Sequence, residues 1–452
     1  MHKEQQPNSQ PEFALRRVLG VWDLTSLGIG GIIGGGIFVI TGLAAAQYAG
    51  PAIVLSFVLA GLAAGLIALV YAELTVHIPS TGPTYAQVAQ LLGTFPGWVI
   101  GWLSFLLAFV GGGILAGGWS AYLVAWLRRF GIVMPTWASA PPGTVPEAII
   151  NLPAVAIIWV LTVVAAVGMR PSAMVTHAFV ILKIAVLRLF IGVGVSGGLT
   201  PAYWTPLLPF GWSGVLTGAG FVFYAYAGFE VIAGAAEEAR DPGRDVPLGI
   251  IGAFSFCAVL YLVVSGVLTG LLPSAQLGVP APLVSALEAN GHRWASRIIG
   301  FGALCALSSV LLVAIVAYAR VFFAMGRDRL LPPVFATLHP RWGTPVVATL
   351  IPGLLMSVTA AFFSVRPLAE LATLGRLLGY MLMCWGLIVL RTHNPTPPVR
   401  VRGTGTLATP LSGLALCLLL GLGLSTTTWV RLGIWVGVGG IVYWLMPRLP
   451  KK

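Results

Sequence analysis

The sequence predicts an all-α integral membrane protein with twelve transmembrane helices. Of the 452 residues, 58% are hydrophobic and 8% are charged, whereas a soluble protein of this size carries about 25% charged residues. The mean hydropathy is +0.93, and the apolar residues fall into twelve segments of about 20 residues, the length that crosses a bilayer core. The first and sixth segments are interrupted by glycines and other small residues.

The apolar segments are separated by turns and short polar loops. Pairs such as Pro141-Pro142 and Pro242-Gly243 mark several of these turns. The polar residues before the first segment lack the apolar stretch of a signal peptide. The predicted spans are residues 23–47, 51–74, 96–127, 149–169, 173–196, 213–236, 247–272, 294–324, 344–364, 367–391, 409–427 and 429–447.

The positions of the two interrupted spans predict an inverted repeat. They are five spans apart, and because five is odd, spans 1–5 and 6–10 cross the membrane in opposite senses. This is the LeuT-type inverted repeat, in which broken helices mark the substrate site. The predicted organisation is a cytoplasmic segment (1–22), two five-helix repeats (23–196 and 213–391), two C-terminal helices (409–447) and a cytoplasmic tail (448–452).

Basic residues in the loops and near the ends of the spans indicate the orientation of the chain. Most of them lie on the side of the termini, and the opposite side carries Arg128, Arg129, Arg293, Arg297, Arg366 and Arg431. Because lysine and arginine are enriched on the cytoplasmic side of membrane proteins, we expect a multi-pass inner-membrane protein with both termini in the cytoplasm. The net charge of +12 then reflects loops that contact lipid head groups, and no nucleic-acid partner is expected.

The glycine-rich interruption of the first span is the strongest functional signal. Residues 28–36 read Gly-Ile-Gly-Gly-Ile-Ile-Gly-Gly-Gly, and each glycine in a helix interior costs about 1 kcal/mol relative to alanine. Glycines four residues apart often serve only close helix packing. A second interruption within residues 221–230 favours instead two broken helices that line a substrate site.

Broken helices offer both polarities of backbone end to a ligand. A half-helix that begins near Gly34 presents free N–H groups and a positive dipole end to a carboxylate. The preceding end near Ile32 presents carbonyl groups to an ammonium, and the second break supplies complementary carbonyls. An α-amino acid is the smallest common zwitterion that fits this pattern. The predicted substrate-binding residues are Ile32, Ile33, Gly34, Gly35, Gly36, Tyr224, Ala225 and Ala227.

Ordered motifs over nearly the whole chain resemble one transporter superfamily. Residues 27–39 resemble the first-span signature of the amino acid–polyamine–organocation superfamily, and residues 223–247 resemble its sixth span and following loop. Residues 118–122, 324–333 and 339–345 are similar to the cationic amino acid transporter branch and its bacterial relatives. The resemblance implies a proton- or exchange-driven amino acid permease of the LeuT fold.

Lys183 is the second functional signal, because it lies inside the fifth span without a neighbouring acid. A charge inside a span indicates function by default, although a lysine can also snorkel to the membrane edge. The resemblance implies that the amine takes the place of a sodium ion and couples transport to protons. In that role it would contact carbonyls of the first span and the hydroxyl of Ser308 or Ser309.

Other charged residues carry weaker signals. Arg188 lies five residues after Lys183, about 140° round the helix, and Arg376 lies in the tenth span; either could line a vestibule or contact another span. The charges of residues 237–245 and 327–329 are typical of a solvated cytoplasmic face, with an inner gate of ion pairs as the alternative. The four cysteines lie in apolar spans, and neither a metal site nor a cofactor is predicted.

These observations together predict a secondary active transporter that carries an amino acid, coupled to protons through Lys183, by alternating access. Alignment with the cationic branch places Leu107 where those relatives commonly have a glutamate, which favours a neutral substrate. An amino acid exchanger and a non-transporting amino acid sensor are the alternatives. No nucleophile, acid–base pair or metal set indicates an enzyme. The expected partners are an amino acid, a proton and the lipid bilayer; the residues carry no signal for or against a small membrane accessory subunit.

Overall fold

The computed structural model describes residues 17–78, 83–168, 173–393 and 407–445. Within these ranges all regular structure is helical, and strand-like pairing is limited to isolated bridges between Leu19 and Ala239 and between Ser139 and Asn151. The predicted all-α class is therefore confirmed for the described part of the chain. Residues 1–16 of the predicted N-terminal segment and the whole predicted tail, 448–452, lie outside the described residues.

The first half of the chain contains three long helices, α3, α5 and α8, and several shorter ones. Its α-helices are α1 (Val21–Ile32), α2 (Thr41–Ala44), α3 (Ile53–His77), α4 (Pro83–Leu92), α5 (Thr94–Arg128), α6 (Thr136–Ser139), α7 (Leu152–Ala166) and α8 (Ala173–Ser196). Between α1 and α3 the chain forms π-helical turns over Gly36–Ile40 and Ala45–Ala49 and a 3₁₀ turn over Gly50–Ala52. A further 3₁₀ turn, Pro201–Trp204, follows α8.

The second half continues in the same way. Its α-helices are α9 (Gly211–Val222), α10 (Glu230–Gly234), α11 (Pro242–Leu271), α12 (Pro282–Ala289), α13 (Arg293–Arg327), α14 (Val346–Phe362), α15 (Val365–His393), α16 (Ala408–Leu422) and α17 (Thr426–Leu445). Its 3₁₀ turns are Phe223–Tyr226, Ala236–Glu238, Ser274–Gln276 and Pro333–Ala336.

Eight helical segments of the described chain are long and apolar enough to cross a membrane. They are Val21–His77, Thr94–Arg128, His177–Ser196, Gly211–Gly234, Pro242–Leu271, Arg293–Arg327, Val365–His393 and Thr426–Leu445. The first of them covers both of the first two predicted spans, and three further predicted spans correspond to the shorter apolar helices α7, α14 and α16. This arrangement is that of an integral membrane protein; the count of twelve spans and the inverted repeat remain predictions.

Three buried tyrosines attach the broken segments to their neighbours. The hydroxyl of Tyr122 donates to the carbonyl oxygen of Phe38 (2.8 Å), that of Tyr226 to Phe57 (2.9 Å) and that of Tyr261 to Ile32 (2.8 Å). Polar groups in an apolar interior need such partners. Because Phe38 and Ile32 flank the first interruption, two of these bonds hold that interruption in place.

Candidate functional site

The first helix breaks where the glycine run predicts. Helix α1 ends at Ile32, and Ile33 is extended, with φ −72° and ψ 98°. Helical conformation resumes at Gly35 and continues into the π-helical turn Gly36–Ile40, so Gly34 lies in the break, and Gly34, Gly35 and Gly36 are all buried. The break therefore places carbonyl groups on one side and the first amides of a new helical turn on the other.

The second break follows α9. The chain tightens into the 3₁₀ turn Phe223–Tyr226 and becomes extended at Ala227, with φ −67° and ψ 144°. Gly228 has a φ of +128°, a conformation that side chains disfavour, and α10 begins at Glu230. Tyr224 and Ala225 are buried, with 8% and 1% of their surface exposed.

The two breaks are in direct contact. A Cβ atom on Gly36 would lie 2.3 Å from Ala225 Cα, and one on Gly31 would lie 2.7 Å from the carbonyl oxygen of Gly228. Glycine is therefore required at both positions for close packing. This agrees with the alternative given for the glycine run, that its glycines serve close helix packing. A Cβ on Gly35 would instead meet the end of the Leu115 side chain at 3.0 Å. The predicted substrate residues of both breaks thus form one continuous region.

Lys183 is buried, with 1% of its surface exposed. Its ammonium donates to the carbonyl oxygen of Gly30 at 2.6 Å, so α8 is joined to α1 close to the first break. Ser308 and Ser309 have other partners: their hydroxyls donate to the backbone oxygens of Leu304 (2.8 Å) and Ala306 (3.1 Å) of their own helix. Trp119 also donates to the Ser308 hydroxyl, at 2.9 Å. In the described residues no hydrogen bond joins either serine to Lys183.

An ion pair lies at the second break. Arg376 Nη1 is 2.7 Å from Glu230 Oε1, and the two side chains are 16% and 18% exposed. The hydroxyl of Tyr380 donates to the same carboxylate oxygen, and Glu230 Oε2 accepts from the amide of Gly228 at 2.6 Å. The carboxylate is therefore compensated by one cation and two further donors.

Aromatic and apolar side chains surround this pair. The guanidinium carbon of Arg376 lies 5.7 Å from the centroid of the Tyr224 ring, a distance at which a cation is attracted to the ring face. Leu107 of α5 packs against α15, since its Cδ2 would be 3.7 Å from a Cβ on Gly375. A Cβ on Gly111 would lie 3.5 Å from the Tyr224 hydroxyl, so α5 leaves room next to that phenol.

The ion pair between Glu230 and Arg376 was not among the predictions made from the sequence. The available signal was that Glu230 is the one charged residue of its predicted span and that Arg376 lies in the middle of another. Two such residues of opposite charge are expected to pair, because a lone charge in the membrane is costly.

The charges of residues 237–245 are joined to the N-terminal side of α1 through the backbone. The amides of Val18 and Leu19 donate to the carbonyl oxygen of Glu238 (2.9 and 3.0 Å), and the Arg240 amide donates to Leu19 (2.9 Å). Arg240 Nε also donates to the Val18 oxygen at 2.9 Å. Within the described residues these charges form no ion pair, and no three His, Cys, Asp or Glu side chains cluster as a metal site requires.

Known proteins resemble the chain over almost its whole length. A family model described as amino acid permease matches residues 19–445. The methylthioribose transporter of Bacillus subtilis (strain 168) is 39% identical over 96% of this chain and 94% of its own. The branched-chain amino acid permease BcaP of the same organism is 38% identical over 98% and 95%. Cationic amino acid transporter 4 of Homo sapiens is 36% identical over 86% of this chain and 62% of its own.

Proposed function

Because the chain belongs to the amino acid permease family, and is thus a membrane transporter and not an enzyme, we propose that it carries neutral amino acids across the cytoplasmic membrane together with protons. Transport follows alternating access, with the substrate held between the two helix breaks. The substrate class, the proton and the residues that bind them are the parts of this proposal that experiment has to establish.

The zwitterionic part of the substrate binds to the backbone of the breaks. The carboxylate accepts from the amides of Gly34, Gly35 and Gly36, at the N-terminal end of the second half of the first span. The ammonium donates to carbonyl groups of the breaks, at Ile32 and Ile33 on one side and at Tyr224, Ala225 and Ala227 on the other. Support comes from the contact of Gly36 with Ala225, which brings both sets of backbone groups to one place.

The Glu230–Arg376 ion pair is the observation that carries the proposal of a neutral substrate. A cationic side chain bound between the breaks needs a free carboxylate, because burying an unpaired cation costs several kcal/mol. The carboxylate of Glu230 is occupied by Arg376 at 2.7 Å, and the α5 residue that packs against Gly375 of α15 is the apolar Leu107. Small or branched aliphatic side chains fit such surroundings better than arginine or lysine.

Lys183 is proposed to carry the coupled proton. A charged Lys183 donates a charge-assisted hydrogen bond, the stronger kind, to Gly30 and so holds α1 against α8. Loss of the proton weakens this bond and lets the first half-helix move relative to α8. Ser308 and Ser309 are proposed to accept from the amine in another state of the cycle, after exchange of their present partners.

Uptake by the purified protein in liposomes tests the proposal. We expect labelled alanine to accumulate when an inward proton gradient is imposed, and unlabelled leucine or valine to compete better than arginine. Uptake that needs amino acid inside the vesicles and ignores the gradient would favour an exchanger. Binding of alanine without any flux would favour a sensor.

Methylthioribose is the second candidate substrate, because the methylthioribose transporter named above is similar over nearly the whole chain. The compensated charges of Glu230 and Arg376 are equally compatible with this uncharged solute. However, it has no carboxylate for the amides of Gly34–Gly36. Adding it as a competitor in the same assay separates the two candidates.

A further inference from the structure

Arg188 is exposed on the outer face of α8, inside a predicted span. It lines a surface groove of about 730 Å³ together with apolar residues of α8 and Phe256 of α11. The neighbouring groove residues include Ile181, Leu189 and Val193, and Ile181 is 66% exposed. The groove therefore combines one cation with a mostly apolar wall, in which Ser196 is the other polar residue, on the lipid-facing side of the molecule.

Nothing in the described chain compensates this cation. No hydrogen bond or ion pair joins Arg188 to another described residue, in contrast with Arg376 and Arg391, which both pair with carboxylates. Arginine within a span is costly, and such residues normally face the interior of the bundle and have partners. An exposed and unpaired arginine therefore calls for an anion that comes from outside the chain.

We propose that this groove binds an anionic phospholipid, with its phosphate at Arg188 and an acyl chain along the wall formed by Ile181, Leu189 and Phe256. The ligand has to be anionic at one end and apolar along the rest, and a phospholipid in the surrounding membrane has both properties. Basic pockets between membrane helices bind lipid head groups in this way.

The position of Arg188 along α8 is compatible with a head group. Eight residues separate it from Ser196 at the end of the helix, about 12 Å at 1.5 Å per residue. A long cationic side chain extends towards the membrane surface while its stem stays on apolar neighbours. The guanidinium therefore approaches the head-group level of the leaflet at the Ser196 end, where it meets a phosphate.

Lipid binding to the purified full-length protein tests this proposal. Phosphatidylglycerol is titrated in detergent and its binding is measured by native mass spectrometry, with phosphatidylcholine as the neutral lipid. We expect Arg188→Gln to weaken phosphatidylglycerol binding about fivefold, the effect of one basic residue on an anionic lipid. Arg431→Gln is the matched control, because Arg431 is also exposed on an apolar helix, α17, but does not line the groove.

The position of the lipid is tested separately with a phosphatidylglycerol that carries a photoreactive acyl chain. We expect cross-links to Ile181, Leu189 or Phe256 in the wild type and fewer in Arg188→Gln. Equal binding by wild type and Arg188→Gln, or an equal loss in Arg431→Gln, would overturn the proposal. So would displacement of the lipid by inorganic phosphate, or a second protein chain that occupies the groove.

Discussion

The carboxylate of Glu230 and the guanidinium of Arg376 meet at 2.7 Å beside the second helix break. They come from different helices, α10 and α15, so the pair also connects the broken segment to a helix outside it. One oxygen of the carboxylate accepts from both Arg376 and Tyr380, and the other accepts from the Gly228 amide.

Breaking the ion pair between Glu230 and Arg376 is expected to shift the substrate preference from neutral towards cationic amino acids. Arg376→Gln removes the compensating cation, so we expect arginine and lysine to compete about tenfold better against labelled alanine, a change of about 1.4 kcal/mol in binding. The double variant Arg376→Gln/Glu230→Gln also removes the Glu230 carboxylate, and we expect it to prefer neutral amino acids again. Unchanged competition by arginine in the single variant would show that Glu230 does not select the substrate.

Gly35→Val tests the carboxylate site. Valine at this position meets the flexible end of Leu115, so we expect the protein to fold, but its branched side chain crowds the neighbouring amides. Loss of one hydrogen bond to a charged group predicts binding about 10- to 100-fold weaker, measured with labelled alanine. Gly433→Val is the control, because a Cβ there meets nothing within 4 Å. Full affinity in Gly35→Val would place the carboxylate elsewhere.

Lys183→Met is expected to abolish the stimulation of uptake by a proton gradient. The substitution keeps the length of the side chain but removes the titratable amine that bonds Gly30. Cys257→Ala is the neighbouring control, since its thiol is buried beside the same lysine and is not expected to carry the proton. The readout is alanine uptake at several imposed gradients. Full gradient dependence in Lys183→Met would favour the exchanger.

The pair formed by Glu73 and Arg391 is expected to stabilise the fold without affecting substrate choice. Arg391 Nε donates to Glu73 Oε1 at 2.8 Å, and the side chains are 8% and 2% exposed. Removing Arg391 leaves the buried Glu73 carboxylate without its cation, which costs about 3–5 kcal/mol, so Arg391→Gln should lower the melting temperature clearly. The competition profile of the remaining folded protein is expected to be unchanged; a shift towards cationic substrates would contradict this assignment.

The helix breaks could be predicted because their cause is local. Glycine density disfavours a continuous helix, and the first break indeed lies at Ile33 and Gly34, inside the run identified in the sequence. The place of Lys183 inside a span also follows from its apolar neighbours on the chain, whereas its burial does not, since Arg188 of the same segment is exposed.

The pairing of charges could not be predicted in the same way, because it depends on how distant helices pack. Glu230 and Arg376 are 146 residues apart, and Glu73 and Arg391 are 318 residues apart. The present hydrogen bonds of Ser308 and Ser309 to their own helix likewise reflect side-chain rotation, which the order of residues does not determine. The number of spans remains a prediction for a related reason, since α7, α14 and α16 are short.

The bridge between Leu19 and Ala239 has a mechanical consequence. Three backbone hydrogen bonds and one hydrogen bond from the Arg240 side chain join the residues before α1 to those after α10. The half-helices α1 and α10 are therefore linked to each other at this end. We expect α1 and α10 to move together as a rigid body, since moving either helix alone would break all four hydrogen bonds. Amide hydrogen exchange at Val18, Leu19 and Arg240 therefore reports how often these hydrogen bonds open and the two segments separate.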